Sequence, residues 1–265
     1  MNKEIVVKTE NLIKVFGDRT ILNGVNLEIY KGEIFVIMGG SGCGKSTLLR
    51  HMIGTMKPDT GKVHLLGKDI TDLSEDEMDK IKKRIGMSFQ SSALFDSMTV
   101  GENVTLALRE HTKLDESVIN IVMKMKLELV GLRSFENLMP SQLSGGMKKR
   151  VGLARAIAMD PEAVFYDEPT AGLDPIVGGV IDKLILDLSK KLSITSVVVT
   201  HDMGSVFRIA DRIAMLYEGR VIEVGTKEEI KNSKNQLVRQ FIAGNPDGPI
   251  KFFQQKDDYL EHLTK

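Results

Sequence analysis

What this 265-residue chain lacks already restricts its chemistry. Its only cysteine is Cys43, which excludes an internal disulfide and a cysteine-based zinc cluster and is typical of proteins in a reducing compartment. The chain also lacks net charge, because 36 lysines and arginines are matched by 36 aspartates and glutamates. Since no overall field would gather nucleic acid, we expect no nucleic-acid partner.

Long apolar runs are missing as well. No stretch approaches the ~20 residues needed to cross a bilayer, and the first residues lack the apolar core of a signal peptide. We therefore expect a cytoplasmic protein that reaches a membrane only through a partner.

What the sequence does contain is a glycine-rich loop directly after the apolar run Ile34–Met38. The loop fits the pattern G-x-x-x-x-G-K-[ST] with Gly39, Gly40, Ser41, Gly42, Cys43, Gly44, Lys45 and Ser46. In such a loop the backbone N–H groups cradle phosphates, the lysine reaches the terminal phosphates and the hydroxyl ligates Mg²⁺. A helix is predicted to follow and includes Thr47, so a phosphate would meet a helix N-terminus. A plain strand-to-helix turn is the alternative.

The remaining pattern indicates a mixed α/β fold. Apolar and β-branched runs early in the chain predict short strands separated by turns, with turns at residues 17–18, 23–24, 31–32 and 59–61. A helical segment with a 3.6-residue period follows, whose apolar positions are Val118, Ile119, Val122, Met125, Leu129 and Leu132. Strands at 163–166, 196–199 and 213–216 then alternate with helices, which predicts a parallel sheet.

An acidic pair, Asp167 and Glu168, ends the predicted buried strand at 163–166. Adjacent strand residues face opposite ways, so the two carboxylates need different roles. We expect Asp167 to support the Mg²⁺ shell and Glu168 to orient and deprotonate the attacking water. A solvated acidic turn is the alternative.

A second glycine sequence, Ser144, Gly145 and Gly146, precedes a predicted helix. Such a helix start can bind an anion, although an ordinary helix cap has the same residues. Together with the features above, it resembles the ATPase subunit of ABC transporters, in which this serine-glycine-glycine is the family signature and contacts the γ-phosphate of ATP.

The resemblance implies roles for further residues. Gln90 looks like the glutamine that touches Mg²⁺ and senses the membrane subunit, and His201 looks like the switch histidine that positions the γ-phosphate and water. Phe16 matches the aromatic residue that stacks on adenine, with a core phenylalanine as the alternative. Residues 171–174, ending in Asp174, resemble the loop that lies against the other subunit. Glu168, His201 and Lys45 are thus the expected catalytic residues, and the expected metal ligands are Ser46, Gln90 and Asp167.

The resemblance also implies an architecture and an assembly. It predicts a P-loop NTPase (RecA-like) core with an antiparallel β subdomain and a helical subdomain inserted at about 91–158, all within an ATPase domain at residues 1–244. In the family the signature of one subunit faces the phosphate loop of the other. A homodimer with two ATP sites is therefore expected, with a similar heteropartner as the alternative. Integral membrane permease subunits would hold it at the cytoplasmic face of the inner membrane.

Finer matches concern the cargo. Residues 90–100, Met147 and residues 245–250 resemble the ATPases of MCE/Mla lipid transport systems. This implies phospholipid transport and an MCE-domain lipid-binding partner. An importer ATPase for a polar solute such as amino acids would share every catalytic residue and is the main alternative. A soluble ABC ATPase would need a coiled-coil insert, a zinc-bearing insert or tandem modules, none of which the sequence shows.

The C-terminal tail, residues 245–265, begins with a helix-breaking stretch at 245–249. Its later part carries apolar side chains, namely Phe252, Phe253, Tyr259, Leu260 and Leu263. The tail either clasps the neighbouring subunit or is a frayed terminus.

Overall fold

The structure, a computed structural model, describes residues 3–250 in two sheets with surrounding helices. An antiparallel sheet has the order β2-β1-β4-β5 and comprises β1 (Ile5–Phe16), β2 (Arg19–Tyr30), β4 (Thr60–Leu65) and β5 (Lys68–Asp69). A six-stranded sheet has the order β10-β9-β3-β8-β7-β6. Its strands are β3 (Ile34–Met38), β6 (Ile85–Ser88), β7 (Ala163–Asp167), β8 (Thr195–Thr200), β9 (Arg212–Tyr217) and β10 (Arg220–Thr226). All its pairs are parallel except β9 with β10.

Most of the helices connect these strands, and the last two, at residues 227–231 and 236–243, follow the final strand. The helices are α1 (Lys45–Met52), α2 (Glu75–Lys82), α3 (Val100–His111), α4 (Glu116–Leu129), α5 (Gly145–Ala156), α6 (Pro175–Leu192), α7 (Met203–Ile209), α8 (Lys227–Lys231) and α9 (Gln236–Ala243). Capping boxes begin α2 and α3, where Ser74 and Thr99 accept a hydrogen bond from the third helical residue. Helix α6 begins with Pro175 behind Asp174, whose carboxylate accepts hydrogen bonds from two helical N–H groups.

The centre of the six-stranded sheet is buried on both faces. Along β3, Phe35 and Ile37 pack into the core shared with the antiparallel sheet, whereas Val36 and Met38 pack into the core shared with the helices. An apolar run without polar alternation is what a strand between two layers requires. The expected α/β fold, with parallel core strands and an early antiparallel sheet, is therefore confirmed.

One local prediction was wrong. The predicted turn at residues 23–24 lies inside β2, where the pairing moves from Leu12 opposite Val25 to Lys14 opposite Leu22. The extra residue on β2 is a β-bulge, which shares the glycine signal of a turn. The predicted helical segment is confirmed by α4, which buries Ile119 and leaves the apolar residues Val118 and Met125 exposed.

The chain after α9 turns back onto that helix. The side chain of Gln240 accepts a hydrogen bond from the backbone N–H of Ile250 at 2.7 Å and donates to its carbonyl oxygen at 3.1 Å. The helix break predicted at residues 245–249 is confirmed, because α9 ends at Ala243. The apolar tail residues, from Phe252 to Leu263, lie outside the described part of the chain. Within residues 3–250, no helix has both the length and the apolarity that crossing a bilayer requires.

Candidate functional site

The glycine-rich loop joins β3 to α1 and requires glycine at two positions. Gly44 has a φ of +104°, and a Cβ there would lie 2.9 Å from the carbonyl oxygen of Ile21. A Cβ at Gly39 would lie 2.2 Å from the carbonyl oxygen of Leu216. Gly44 is also the N-cap of α1 and has no side chain to bond the first helical N–H groups. These N–H groups and the positive end of the helix dipole can therefore receive an anion.

Lys45 is the first residue of α1, and its side chain reaches back to the start of this loop. Its ammonium donates to the carbonyl oxygens of Gly39 at 2.8 Å and Gly40 at 2.9 Å. The residue is only 7% exposed, and its Nζ is 4.0 Å from Oε1 of Glu168. A cation held at this depth strengthens the attraction of the loop for phosphate.

The acidic pair at the end of β7 faces two different groups. Asp167 accepts a hydrogen bond at 3.0 Å from the hydroxyl of Ser46. Glu168 Oε1 lies 2.8 Å from Nδ1 of His201, which follows β8. Because β3, β7 and β8 are parallel neighbours, their carboxyl ends bring Ser46, the two acids and His201 to one edge of the sheet.

Ser46, Glu168 and His201 line a cleft of about 410 Å³, whereas Asp167 is not part of its lining and is joined to it through the hydrogen bond from Ser46. The lining residues are Phe16, Arg19, Ile21, Ser41, Gly42, Gly44, Lys45, Ser46, Thr47, Gln90, Glu168 and His201. Phe16 is 48% exposed, so a core role for this residue is wrong. Arg19 and Ile21 also line the cleft but were not predicted from the sequence. The signal available for Arg19 is its place directly opposite Phe16 in the β1–β2 hairpin.

Two further predicted loop residues line an adjoining cavity. Gly40 and Cys43 lie there next to Tyr217 and Ile250, and this cavity shares Arg19, Ser41 and Gly42 with the cleft. Burial raises the pKa of the Cys43 thiol, so little of it is the reactive thiolate at neutral pH.

The signature residues form an exposed surface of their own. Ser144 caps α5 by accepting a hydrogen bond from the N–H of Met147 at 3.3 Å. A Cβ at Gly145 would lie 3.7 Å from the side chain of Leu173, which precedes Asp174. We call Ser144, Gly145, Gly146 and Asp174 the signature surface; none of them lines the cleft described above.

The site offers oxygen ligands to a divalent cation. The hydroxyl of Ser46 and the carboxylate of Asp167 are already in contact, and Gln90 lines the cleft together with Ser46. Among residues 3–250, no group of three or more His, Cys, Asp or Glu side chains could hold a metal ion alone. This sparse set of oxygen donors fits Mg²⁺, which usually takes one or two protein ligands together with water and phosphate oxygens.

Known proteins resemble the chain over most of its length. The family model described as ABC transporter matches residues 22–171. The intermembrane phospholipid transport system ATP-binding protein MlaF of Haemophilus influenzae is 45% identical over 263 residues, which cover 99% of both chains. The probable ribonucleotide transport ATP-binding protein mkl of Mycobacterium leprae is 38% identical over 254 residues, covering 96% of this chain and 73% of that protein.

A solved structure extends the likeness to three dimensions. The dimeric post-hydrolysis state of the ATP-binding cassette MJ0796, bound to ADP and Pi, matches with a TM-score of 0.78 at 35% identity. The match covers 84% of this chain and 99% of that one.

Proposed function

The chain belongs to the ABC transporter family and is an ABC-type ATPase, and from this premise we propose that it drives phospholipid transport between membranes of the cell envelope. The observation that carries the choice of cargo is the 45% identity to MlaF over 99% of both chains. An identity of this extent includes the regions outside the nucleotide motifs, and it exceeds the 38% identity to the relative named for ribonucleotide transport.

We propose that ATP lies along the cleft with its phosphates at the start of α1 and its adenine against Phe16. The ammonium of Lys45 would turn from its two carbonyl acceptors toward the terminal phosphates, and the loop N–H groups would bind the phosphate oxygens. Ser46, Gln90 and Asp167 would hold Mg²⁺, which when bound neutralises charge on the phosphates.

Glu168 is the proposed base. Its carboxylate lies at the strand end beside the loop and is hydrogen-bonded to His201, so it can accept a proton from a water aimed at the γ-phosphate. His201 orients the carboxylate through that bond and can contact the γ-phosphate itself. The hydroxyl of Ser46 and the ammonium of Lys45 keep the phosphate in line with the water.

The signature surface supports a dimer. It contains an exposed helix N-terminus and does not line the cleft of its own chain. A two-fold axis would place the signature surface of each subunit over the nucleotide of the other, which closes two identical sites. We propose this homodimer as the active form.

We further propose that the ATPase domain extends over residues 1–244, with α3, α4 and α5 forming a helical subdomain at about 91–158. Integral membrane permease subunits would hold the dimer at the cytoplasmic face of the inner membrane. An MCE-domain protein would receive or deliver the lipid on the other side.

The test is purification of the tagged chain with its native membrane partners, followed by mass spectrometry of the proteins and the bound lipids. A permease, an MCE-domain protein and phospholipid are the expected result. Recovery of a permease with a ribonucleotide or another polar solute, as the name of the M. leprae relative suggests for that protein, would overturn the cargo and leave the ATPase in place. A complex without any membrane protein would overturn the transporter role.

A further inference from the structure

Lys149 is a buried cation that the proposed reaction does not use. It lies in the second turn of α5, the helix that begins at the signature surface, and is 7% exposed. Its ammonium donates to the carbonyl oxygen of Gln90 at 2.6 Å and to the carbonyl oxygen of Glu168 at 3.3 Å. One side chain thus joins the signature helix to the backbone of two residues of the cleft.

Burial of this ammonium is unfavourable. Burial lowers the pKa of Lys149, and the negative charges of Glu168 and Asp167 act in the opposite direction. Its recorded hydrogen bonds go to backbone carbonyls, which compensate less for lost hydration than a paired carboxylate does. A neutral side chain would fill the space without this cost, so the contact itself needs an explanation.

The backbone conformation of Glu168 explains why a charged side chain is buried here. Glu168 has a φ of +48°, a conformation that residues with a Cβ adopt only when their surroundings enforce it. Its N–H donates to the carbonyl oxygen of Val199 at 2.9 Å. Its own carbonyl oxygen accepts from the N–H of Ala171 and from Lys149. Lys149 therefore contributes one of three hydrogen bonds to the backbone of the strained residue.

The same face of α5 holds the loop after Gln90. Arg155 donates to the carbonyl oxygens of Ser92 at 2.6 Å and Ala93 at 2.7 Å. Gly152, between Lys149 and Arg155, lies against Ser92. Helix α5 and the loop at residues 90–93 are thus bonded into one unit, and Lys149 is the point at which this unit also contacts Glu168.

We propose that Lys149 is a positioning residue for ATP hydrolysis, which transmits the placement of the signature helix to the backbone of Glu168. A displacement of α5 would then move the carboxylate relative to the attacking water. The inference rests on the proposed role of Glu168 as the base.

The experiment compares K149M, K149R and K148M in the transporter complex purified with its membrane partners. Lys148 is the half-buried neighbour in the same helix and makes no side-chain hydrogen bond or ion pair within residues 3–250. We expect kcat of K149M to fall about tenfold or more, because small misplacements of catalytic groups have large effects on rate. The dissociation constant for ATP should stay within about threefold, since the phosphate contacts are unchanged. K149R, which keeps the charge and N–H donors, should restore most of kcat, and K148M should match wild type.

A double-mutant cycle gives a readout that a merely structural role would not move. If Lys149 acts through Glu168, adding K149M to Glu168→Gln should leave the residual rate of Glu168→Gln nearly unchanged. Additive losses, or wild-type kcat in K149M, would overturn the inference. If K149M does not fold, K149Q and K149R are compared instead. K149Q, with its shorter amide side chain, should lower kcat, whereas K149R should not. Equal rates for the two variants would overturn the inference.

The base assignment is checked separately in the same assay. A complex in which Glu168→Gln retains normal turnover would remove Glu168 as the base, whatever Lys149 does. If Glu168→Gln loses turnover while K149M turns over like wild type, Glu168 stays the base and the inference on Lys149 is overturned.

Discussion

The two ends of the cleft are built in different ways. At the phosphate end, Lys45 and Glu168 are buried where parallel strands end, and each is bonded to other groups of the site. At the opposite end, where we propose that the adenine base lies and which we call the base end, Phe16 is half exposed on the β1–β2 hairpin of the antiparallel sheet. Removing a buried, bonded group leaves its partners unpaired, whereas trimming an exposed ring removes one contact. The phosphate end should therefore be much less tolerant of substitution.

Hydrogen bonds to Asp59 nevertheless hold the strand at the base end in place. Asp59, just before β4, accepts a hydrogen bond from the backbone N–H of Val15 at 2.6 Å and another from the ammonium of Lys14 at 2.9 Å. That ammonium lies 5.4 Å from the centre of the Phe16 ring. A single exposed carboxylate thus fixes the end of the strand that carries the ring.

The largest effect is expected at the phosphate end, from Glu168→Gln. Glutamine keeps the shape and can still bond His201, but it cannot accept the proton, so kcat should fall by about 10²- to 10⁴-fold. ATP affinity should be nearly unchanged, and size-exclusion chromatography with ATP should show a persistent dimer. Glu168→Asp, which keeps the charge on a shorter side chain, is the matched control and should retain more activity. Wild-type turnover in Glu168→Gln would contradict the assignment.

Lys45→Ala should act on binding. Hydrogen bonds to charged groups contribute roughly 1.5–3 kcal/mol, which corresponds to about a 10- to 150-fold loss of affinity. The loss should be the same for ATP and for inorganic triphosphate, because the lysine contacts only phosphate. Isothermal titration with both ligands measures this, and a loss confined to ATP would place Lys45 at the wrong end of the cleft.

The same contrast explains what the sequence could predict. The phosphate end follows from short contiguous signals: a glycine pattern after β3, and polar residues directly after β7 and β8. Parallel strands then bring these signals together without further information. Phe16 has no such contiguous signal around it, and only the structure shows that its side chain is exposed.

Contacts between distant segments were not predictable in the same way. Asp59 lies 44 positions from Val15 and sits in a sequence that reads as a turn. Lys149 lies 59 positions from Gln90 and reads as one polar residue of a helix. Both roles depend on tertiary packing, and neither residue type nor spacing identifies them.

Phe16→Ala should lower affinity less than Lys45→Ala does, and for ATP only. Stacking of a base on an aromatic ring contributes about 1–3 kcal/mol by alanine substitution, and the exposure of Phe16 favours the lower part of this range. Affinity for inorganic triphosphate should be unchanged. Phe95→Ala, at a phenylalanine with nearly the same exposure outside the cleft, should leave both affinities as they are. An equal loss for the two ligands would mean that Phe16 acts on the loop and not on the base.

Asp59→Asn should have the smallest effect, a loss of ATP affinity of a few-fold in the same direction as Phe16→Ala. The loss is small because the Phe16 ring is still present, and only the hydrogen bonds that hold its strand are weakened. The hydrogen bond from the Val15 N–H, and then that from Lys14, lowers the pKa of Asp59 below its usual 3.8. The hydrogen bonding is therefore complete above that value and lost only as the pH falls through the lowered pKa, so the difference between Asp59→Asn and wild type should be constant from pH 6 to 8. Asp18→Asn removes the same charge from the exposed turn between β1 and β2, closer along the chain to Phe16, and should leave ATP affinity unchanged. If both variants weaken ATP equally, the base end is sensitive to charge and not to the position of the ring.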